Sequence, residues 1–231
     1  MTEAVGRFTD REEAGRALAV ALRDHAHTAD TLVLALPRGG VPVALEVARA
    51  LGLPLDVLCV RKLGVPWQEE LAMGAVAPGG VTVLDRAIIT GAAIPDATVA
   101  ATVARESREL ARREAAYRAG RPALGCDGRT VLLVDDGLAT GATMRAAARA
   151  VRRLGARRVV IAVPVAPPET CAAIGGEADA CVCLRQPAPF AAVGEWYVHF
   201  PQVSDAEVVA ALATAPLASP VLVPTPTPSP R

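Results

Sequence analysis

The fold class that the sequence predicts is α/β, a parallel sheet flanked by helices. Three observations carry that expectation. Helix-like and strand-like stretches alternate along the chain, the order that lays strands side by side with helices on both faces. At 132–145, LLVDDGLATGATMR, an apolar run ends in two carboxylates and a small-residue turn that opens into a helical pattern. At 231 residues, 52% hydrophobic but only 3% aromatic, the chain is long enough for one large domain with an Ala/Val/Leu interior.

The elements follow in order. Thr9-x-x-Glu12 is a capping-box signal for a first helix running to about residue 23. An apolar strand at 31–36 leads to a helix at 41–51, and the next strand runs over 55–60. A long Gly/Pro-containing stretch follows at 64–91, with a short strand at 81–84 inside it. A charged helix spans 96–117, which Gly120 can terminate. The motif strand covers 130–135, and its helix runs to about residue 154. Further strands lie at 159–163 and 180–184, and Ser204-x-x-Glu207 caps a short last helix. Residues 214–231, ending PTPTPSPR, read as a disordered Pro-rich tail, which leaves 1–213 as the folded domain.

The formal net charge is zero, which argues against an electrostatically driven nucleic-acid or membrane surface. No basic, then apolar opening suggests export, and no apolar run approaches the roughly 18 residues of a membrane span. The five cysteines lack metal-ligand spacing, and Cys181-x-Cys183 suits small buried residues better than a redox pair. The expectation is a reduced, cytoplasmic protein.

A small-residue loop at a helix start is an anion site, because free backbone N–H groups and the helix dipole converge there. Asp135 and Asp136 stand beside it, so the ligand must satisfy both kinds of group. A P-loop lacks its lysine here, and the dinucleotide fingerprint lacks its glycines, only Gly137 and Gly141 being present. A phospho-receiver would need a later lysine, whereas Lys62 comes earlier. A ribose 5-phosphate fits. Its phosphate would lie on the loop Ala139, Thr140, Gly141, Ala142 and Thr143, and its diol would donate to the two carboxylates.

In these residues the chain resembles the type I phosphoribosyltransferases, whose signature is an apolar strand, two acids, two residues and a Thr/Gly-rich loop. Gly137 departs from the pattern, standing where the family usually has an aliphatic residue. With VRKLG, ELAMGAV and PFAAVGEWYVHF, the whole pattern looks like a bacterial subgroup of phosphoribosyltransferases with undefined acceptors. The resemblance covers about 32–184. It implies a core at about 30–185 and a small hood from the flanks 1–23 and 190–212. The implied substrate is 5-phosphoribosyl-1-pyrophosphate (PRPP), with Mg²⁺ as cofactor, a small nitrogen acceptor such as a nucleobase, and a homodimer as the assembly.

The resemblance also assigns roles. Leu36 to Gly40 reads LPRGG, where the family binds pyrophosphate through the residues occupied by Arg38, Gly39 and Gly40, often with a non-proline cis peptide. Asp135 and Asp136 would hold the ribose and, directly or through water, the metal. Lys62 is the single lysine among 24 basic residues, and with Arg61 it sits where the family contacts pyrophosphate, sometimes across a dimer interface. The stretch 64–91 matches the family's mobile loop, which makes Glu69 and Glu70 acid/base candidates. Phe190 and Trp196 are candidates for stacking on a flat acceptor. Ala139 stands where hypoxanthine–guanine enzymes carry an Asp, so DDGLATGAT resembles the adenine enzymes instead. The rival reading is a non-catalytic PRPP- or nucleotide-binding regulator on the same fold, against which the zero net charge counts.

Overall fold

The computed structural model describes residues 6–121, 123 and 125–216, with the backbone alone at 69 and 70. Five parallel strands, β1 (Thr31–Ala35), β2 (Leu55–Val57), β6 (Thr130–Val134), β7 (Arg158–Val165) and β8 (Ala180–Arg185), form the main sheet in the order β2-β1-β6-β7-β8. Side chains of the central strands alternate between two cores, because successive residues of a strand point to opposite faces. Val33, Ala35, Leu132, Val134, Val160 and Ala162 enter the core shared with α1 (Arg11–Ala21), α2 (Gly40–Leu51) and α7 (Asp205–Thr214). Leu32, Leu34, Val131, Leu133, Val159 and Ile161 enter the opposite core, which α5 (Ala142–Arg153) and α6 (Pro168–Ile174) cover. Burial on both faces explains why each run is apolar throughout.

The strand order reverses between β1 and β6, whose carboxyl ends are in register at Ala35 and Val134. Helices leaving adjacent strands at such a point open a crevice between their loops. Both loops singled out in the sequence leave from here, 36–40 from β1 and 135–143 from β6.

The main correction lies at 64–91. The strand expected at 81–84 is present as β5 (Val81–Leu84), but the rest is not irregular: β3 (Arg61–Val65) and β4 (Gln68–Ala77) form an antiparallel sheet with it, followed by α3 (Arg86–Gly91), which Asp85 caps. Leu63, Val65, Met73 and Val76 anchor this sheet in the first core. Gly79 and Gly80 hold positive φ, 70° and 73°, which lets the chain turn tightly into β5. The strand expected over 55–60 accordingly splits: β2 ends at Val57, and Arg61 and Lys62 begin the second sheet.

Other differences are local. The first helix is capped by Asp10, whose side chain accepts from Glu13 N at 2.8 Å, one residue later than Thr9 and Glu12 suggested. The long α4 (Asp96–Arg118) ends at Ala119 in the left-handed region rather than at Gly120. The Ser204/Glu207 capping box is present on α7. The five cysteines are free, and burial pushes the Cys59 thiol up to about 12 and that of Cys181 to about 11. No helix among the described residues is long and apolar enough to cross a membrane. Residues 217–231, most of the expected Pro-rich tail, lie outside the described residues.

Candidate active site

The two loops of the crevice touch. Leu36 N donates to Val134 O at 2.9 Å, and the Pro37–Arg38 peptide is cis. A Cβ placed on Gly39 would collide with the Asp136 carboxylate, 2.7 Å from its Cγ, and one on Gly40 would lie 2.8 Å from Val134 O and 2.9 Å from Asp135 Cα. Glycine is required here so that one loop can press against the other's acids. Two helices start in this crevice, α2 at Gly39 and α5 at Gly141, and neither has a side-chain cap. Asp10, Asp85 and Ser204 cap α1, α3 and α7, while α4 and α6 start at prolines without a side-chain cap. At α2 the first N–H groups are taken, Gly40 N by Leu36 O and Val41 N by Arg38 O, both at 3.1 Å, so the uncapped start of α5 is the one that offers backbone N–H groups to a ligand.

The loop 139–143 is held from behind. Thr170 Oγ1 on α6 donates to Ala139 O at 2.7 Å, and Gly141, at φ 69°, fits against Thr170 and Ile174. Thr140 and Thr143 remain exposed. The departure at Gly137 has a packing reason, since a Cβ there would come within 2.6 Å of Val193 Cγ1 and 3.0 Å of Val165.

Asp135 and Asp136 are partly buried neighbours. Asp135 Oδ1 accepts from Asp136 N at 2.9 Å, while Asp136 Oδ2 accepts from Arg11 Nε at 2.8 Å. Burial and the adjacent Asp136 charge push the Asp135 carboxyl well above the usual carboxylate range. Burial also raises Asp136, against the opposing pull of Arg11. Among the described residues, the other oxygen of each carboxylate has no protein donor. A cavity of about 480 Å³ opens over the pair, walled by Arg11, Arg38, Gly39, Val193, Phe200 and Gln202 among others. Arg38 lies half-exposed at its edge, 3.5 Å from Asp205 at the start of α7.

The structure therefore brings Arg38, Gly39, Gly40, Asp135, Asp136 and the 139–143 loop into one crevice. It places other candidates elsewhere. Arg61 donates through Nε and Nη2 to one oxygen of Glu106 of α4, Oε2, at 2.9 and 2.6 Å, and with exposed Lys62 lines a separate cavity of about 470 Å³. Glu69 and Glu70 stand on β4 rather than on a loop. Phe190 and Trp196 stack on each other, centroids 6.3 Å apart, in a small core with Phe8 and Tyr197, and neither lines the crevice cavity. The ring that does is Phe200.

Sequence reasoning missed Arg11 and Phe200 as site residues, and it weighed Tyr197 only beside Phe190 and Trp196 as a ring for the acceptor or the hood. The flanks meet where Phe8 pairs with Tyr197, and Tyr197 donates its hydroxyl to Asp136 O at 2.6 Å. No local pattern marks these residues, because their partners lie far along the chain.

A doubly covered parallel sheet with paired acids and an uncapped helix start at its strand reversal is the frame of a phosphoribosyl transferase. The family model for the phosphoribosyl transferase domain matches residues 2–195, and the chain belongs to that family. It is 50% identical over 208 residues to Rv0571c of Mycobacterium tuberculosis (strain H37Rv), provisionally named a phosphoribosyl transferase. That match covers 90% of this chain and 47% of the relative, so the chain spans about half the length of the curated relatives it matches. The crystal structure of TT1426 from Thermus thermophilus is 47% identical, with a TM-score of 0.80, covering 89% of this chain and 97% of that one. A shorter match, 53% identical over 53 residues, joins the chain to the adenine phosphoribosyltransferase of Rhodococcus opacus, covering 23% of this chain and 28% of that one.

Proposed function

We propose that the chain transfers the ribose 5-phosphate of PRPP to a nitrogen acceptor, with a nucleobase as the expected class, and releases pyrophosphate. The observation that carries this reading is the meeting of the uncapped α5 start and the 36–40 loop with a pair of acids in one crevice. The α5 start takes the 5-phosphate on backbone N–H groups and the Thr140 and Thr143 hydroxyls. Asp135 and Asp136 accept from the ribose hydroxyls. Arg38 and the Gly39/Gly40 backbone take the pyrophosphate. As the C1–O bond breaks, positive charge grows on the ribose ring beside two carboxylates, and negative charge grows on the leaving group beside Arg38.

The donor set fits Mg²⁺, which takes oxygen ligands and completes its shell with water and substrate oxygens. Asp135 and Asp136 would hold it. Bound there, Mg²⁺ supplies positive charge to the pyrophosphate and ribose hydroxyls.

Glu69 and Glu70, on β4, remain the acid/base pair of this reading. The acceptor enters on the flank side, under Phe200 and Val193, and Phe190 and Trp196 support that wall by packing. The short likeness to an adenine phosphoribosyltransferase supports a nucleobase as acceptor. Pyrophosphate release from PRPP, measured with a panel of purines, pyrimidines and simple amines, tests the transfer. Release that depends on one acceptor class supports it. PRPP binding with no release from any acceptor favours the regulator.

Lys62 is assigned to pyrophosphate, from its own chain or from a second copy in a homodimer. Lys62→Ala is expected to weaken PRPP and pyrophosphate binding by about 1.5–3 kcal/mol, the range of a charge-assisted contact, and ribose 5-phosphate binding far less. Lys62→Arg recovers only part, because a fork does not reproduce a rotatable point charge. Titration with the three ligands decides it. Equal losses make Lys62 a support of the fold, and no loss makes it a surface lysine.

A further inference from the structure

We propose that Arg11, on the first helix of the N-terminal flank, is the positioning residue that orients Asp136 for the ribose hydroxyls, and that Phe200 of the C-terminal flank acts on the site through it. This rests on the PRPP reading of the acid pair.

Arg11 is only 8% exposed, unusual for an arginine on a helix at the edge of a fold. Three contacts hold its planar group. Nε donates to Asp136 Oδ2 at 2.8 Å, Nη1 donates to Pro201 O at 2.7 Å, and Cζ lies 3.7 Å from the centroid of the Phe200 ring. An acid on one edge, a carbonyl on another and a ring on the face leave the fork no rotation. A lysine could satisfy the charge but not the plane.

Phe200 is held in turn. Tyr197 stacks on it, centroids 4.9 Å apart, and donates its hydroxyl to Asp136 O. Two partners hold Phe200, a guanidinium at 3.7 Å and a ring at 4.9 Å from its centroid. Its work is to seat Arg11.

The result is a defined acid. With Oδ2 committed to Arg11, Asp136 presents Oδ1 to the ligand in one direction, beside the free oxygen of Asp135. The residues that achieve this come from positions 11 and 197–201, so the two flanks jointly set the geometry of a motif on the central strand. Arg11 also lines the same cavity as Asp135, Asp136 and Arg38, which sets it apart from an ion pair that merely ties surface elements together.

Calorimetric titration with ribose 5-phosphate tests this. Arg11→Ala is expected to bind at least tenfold more weakly than wild type. Millimolar methylguanidinium recovers most of the loss, and methylammonium at the same concentration does not. Phe200→Leu weakens binding several-fold in the wild-type background and costs nothing further beside Arg11→Ala. If Arg11→Ala fails to fold, Arg11→Lys, which keeps the charge, should melt within a few degrees of wild type yet bind at least threefold more weakly. Unchanged affinity in either Arg11 variant, equal rescue by both cations, or additive losses in the double variant overturns the proposal alone. A wild-type chain that takes no ribose 5-phosphate overturns the PRPP reading and this proposal together.

Discussion

Asp135→Asn is expected to lower PRPP affinity by at least tenfold, about 1.4 kcal/mol, while raising the melting temperature of the ligand-free protein. The two effects share one cause. Asp135 is partly buried beside another carboxylate, and its carboxyl is pushed well above the usual range by burial and by the Asp136 charge. A carboxyl whose folded pKa lies above its unfolded value stabilises the fold when protonated. That contribution is fully present below the unfolded value and is lost as pH rises through the folded one. Above that folded value the ionised pair therefore costs stability, and it persists for the ligand.

Asparagine keeps the shape and the Oδ1 that accepts from Asp136 N, but removes the charge. In a domain of this size each kcal/mol gained would raise the melting temperature by about 2–4 °C. The difference should shrink as pH falls toward the ordinary carboxylate range near about 4. Asp136→Asn should lose PRPP affinity similarly without the gain, because it strips Arg11 of its ionic partner. Calorimetry with PRPP and melting curves from pH 4 to 8 read both effects. Equal melting of Asp135→Asn and wild type at pH 8 contradicts the buried-charge account, and unchanged PRPP binding in both variants contradicts the diol assignment.

Gly39→Ala is the second large effect expected, and it needs no change of charge. The backbone there has helical φ and ψ, −59° and −34°, so alanine meets no conformational penalty. The obstacle is space. Its methyl would overlap the Asp136 carboxylate, which cannot retreat freely because Arg11 holds Oδ2 and Tyr197 holds the backbone carbonyl. Overpacking of this kind costs about 1–3 kcal/mol in stability. Binding should suffer more, because the displaced acid is the group that reads the ribose. PRPP affinity is expected to fall by tenfold or more, with a lower melting temperature. Gly6→Ala serves as the control, since nothing lies within 4 Å of the added methyl. Matching behaviour of the two variants would show that the crevice loops are not in close contact.

Much of the fold was legible because the elements of a doubly covered parallel sheet are locally encoded. Apolar runs of about five residues mark β1 and β6, and helical patterns mark α2 and α5. The acid pair and the Gly/Thr loop are contiguous, so their chemistry could be read without knowing what faces them. Of the second sheet only β5 was legible. QEELAMGAVA shows no clean alternation, and its strand character comes from pairing with β3 and β5 and from the burial of Met73 and Val76. Arg61 illustrates the same limit, for its neighbour in sequence is Lys62 but its partner in space is Glu106, 45 residues later.

The sequence by itself determined the α/β class, the order of the main strands and helices, and a ribose-phosphate motif at the end of β6. Tertiary structure alone decided which strands are adjacent, and hence that 36–40 faces 135–143 across a strand reversal. It also decided that Arg11, 125 residues before Asp136, becomes that acid's partner. The physical reason is range. Periodicity and loop chemistry act over a few residues and leave a trace in the string, whereas an ion pair between a flank and a central strand exists only after the whole sheet has brought its ends together.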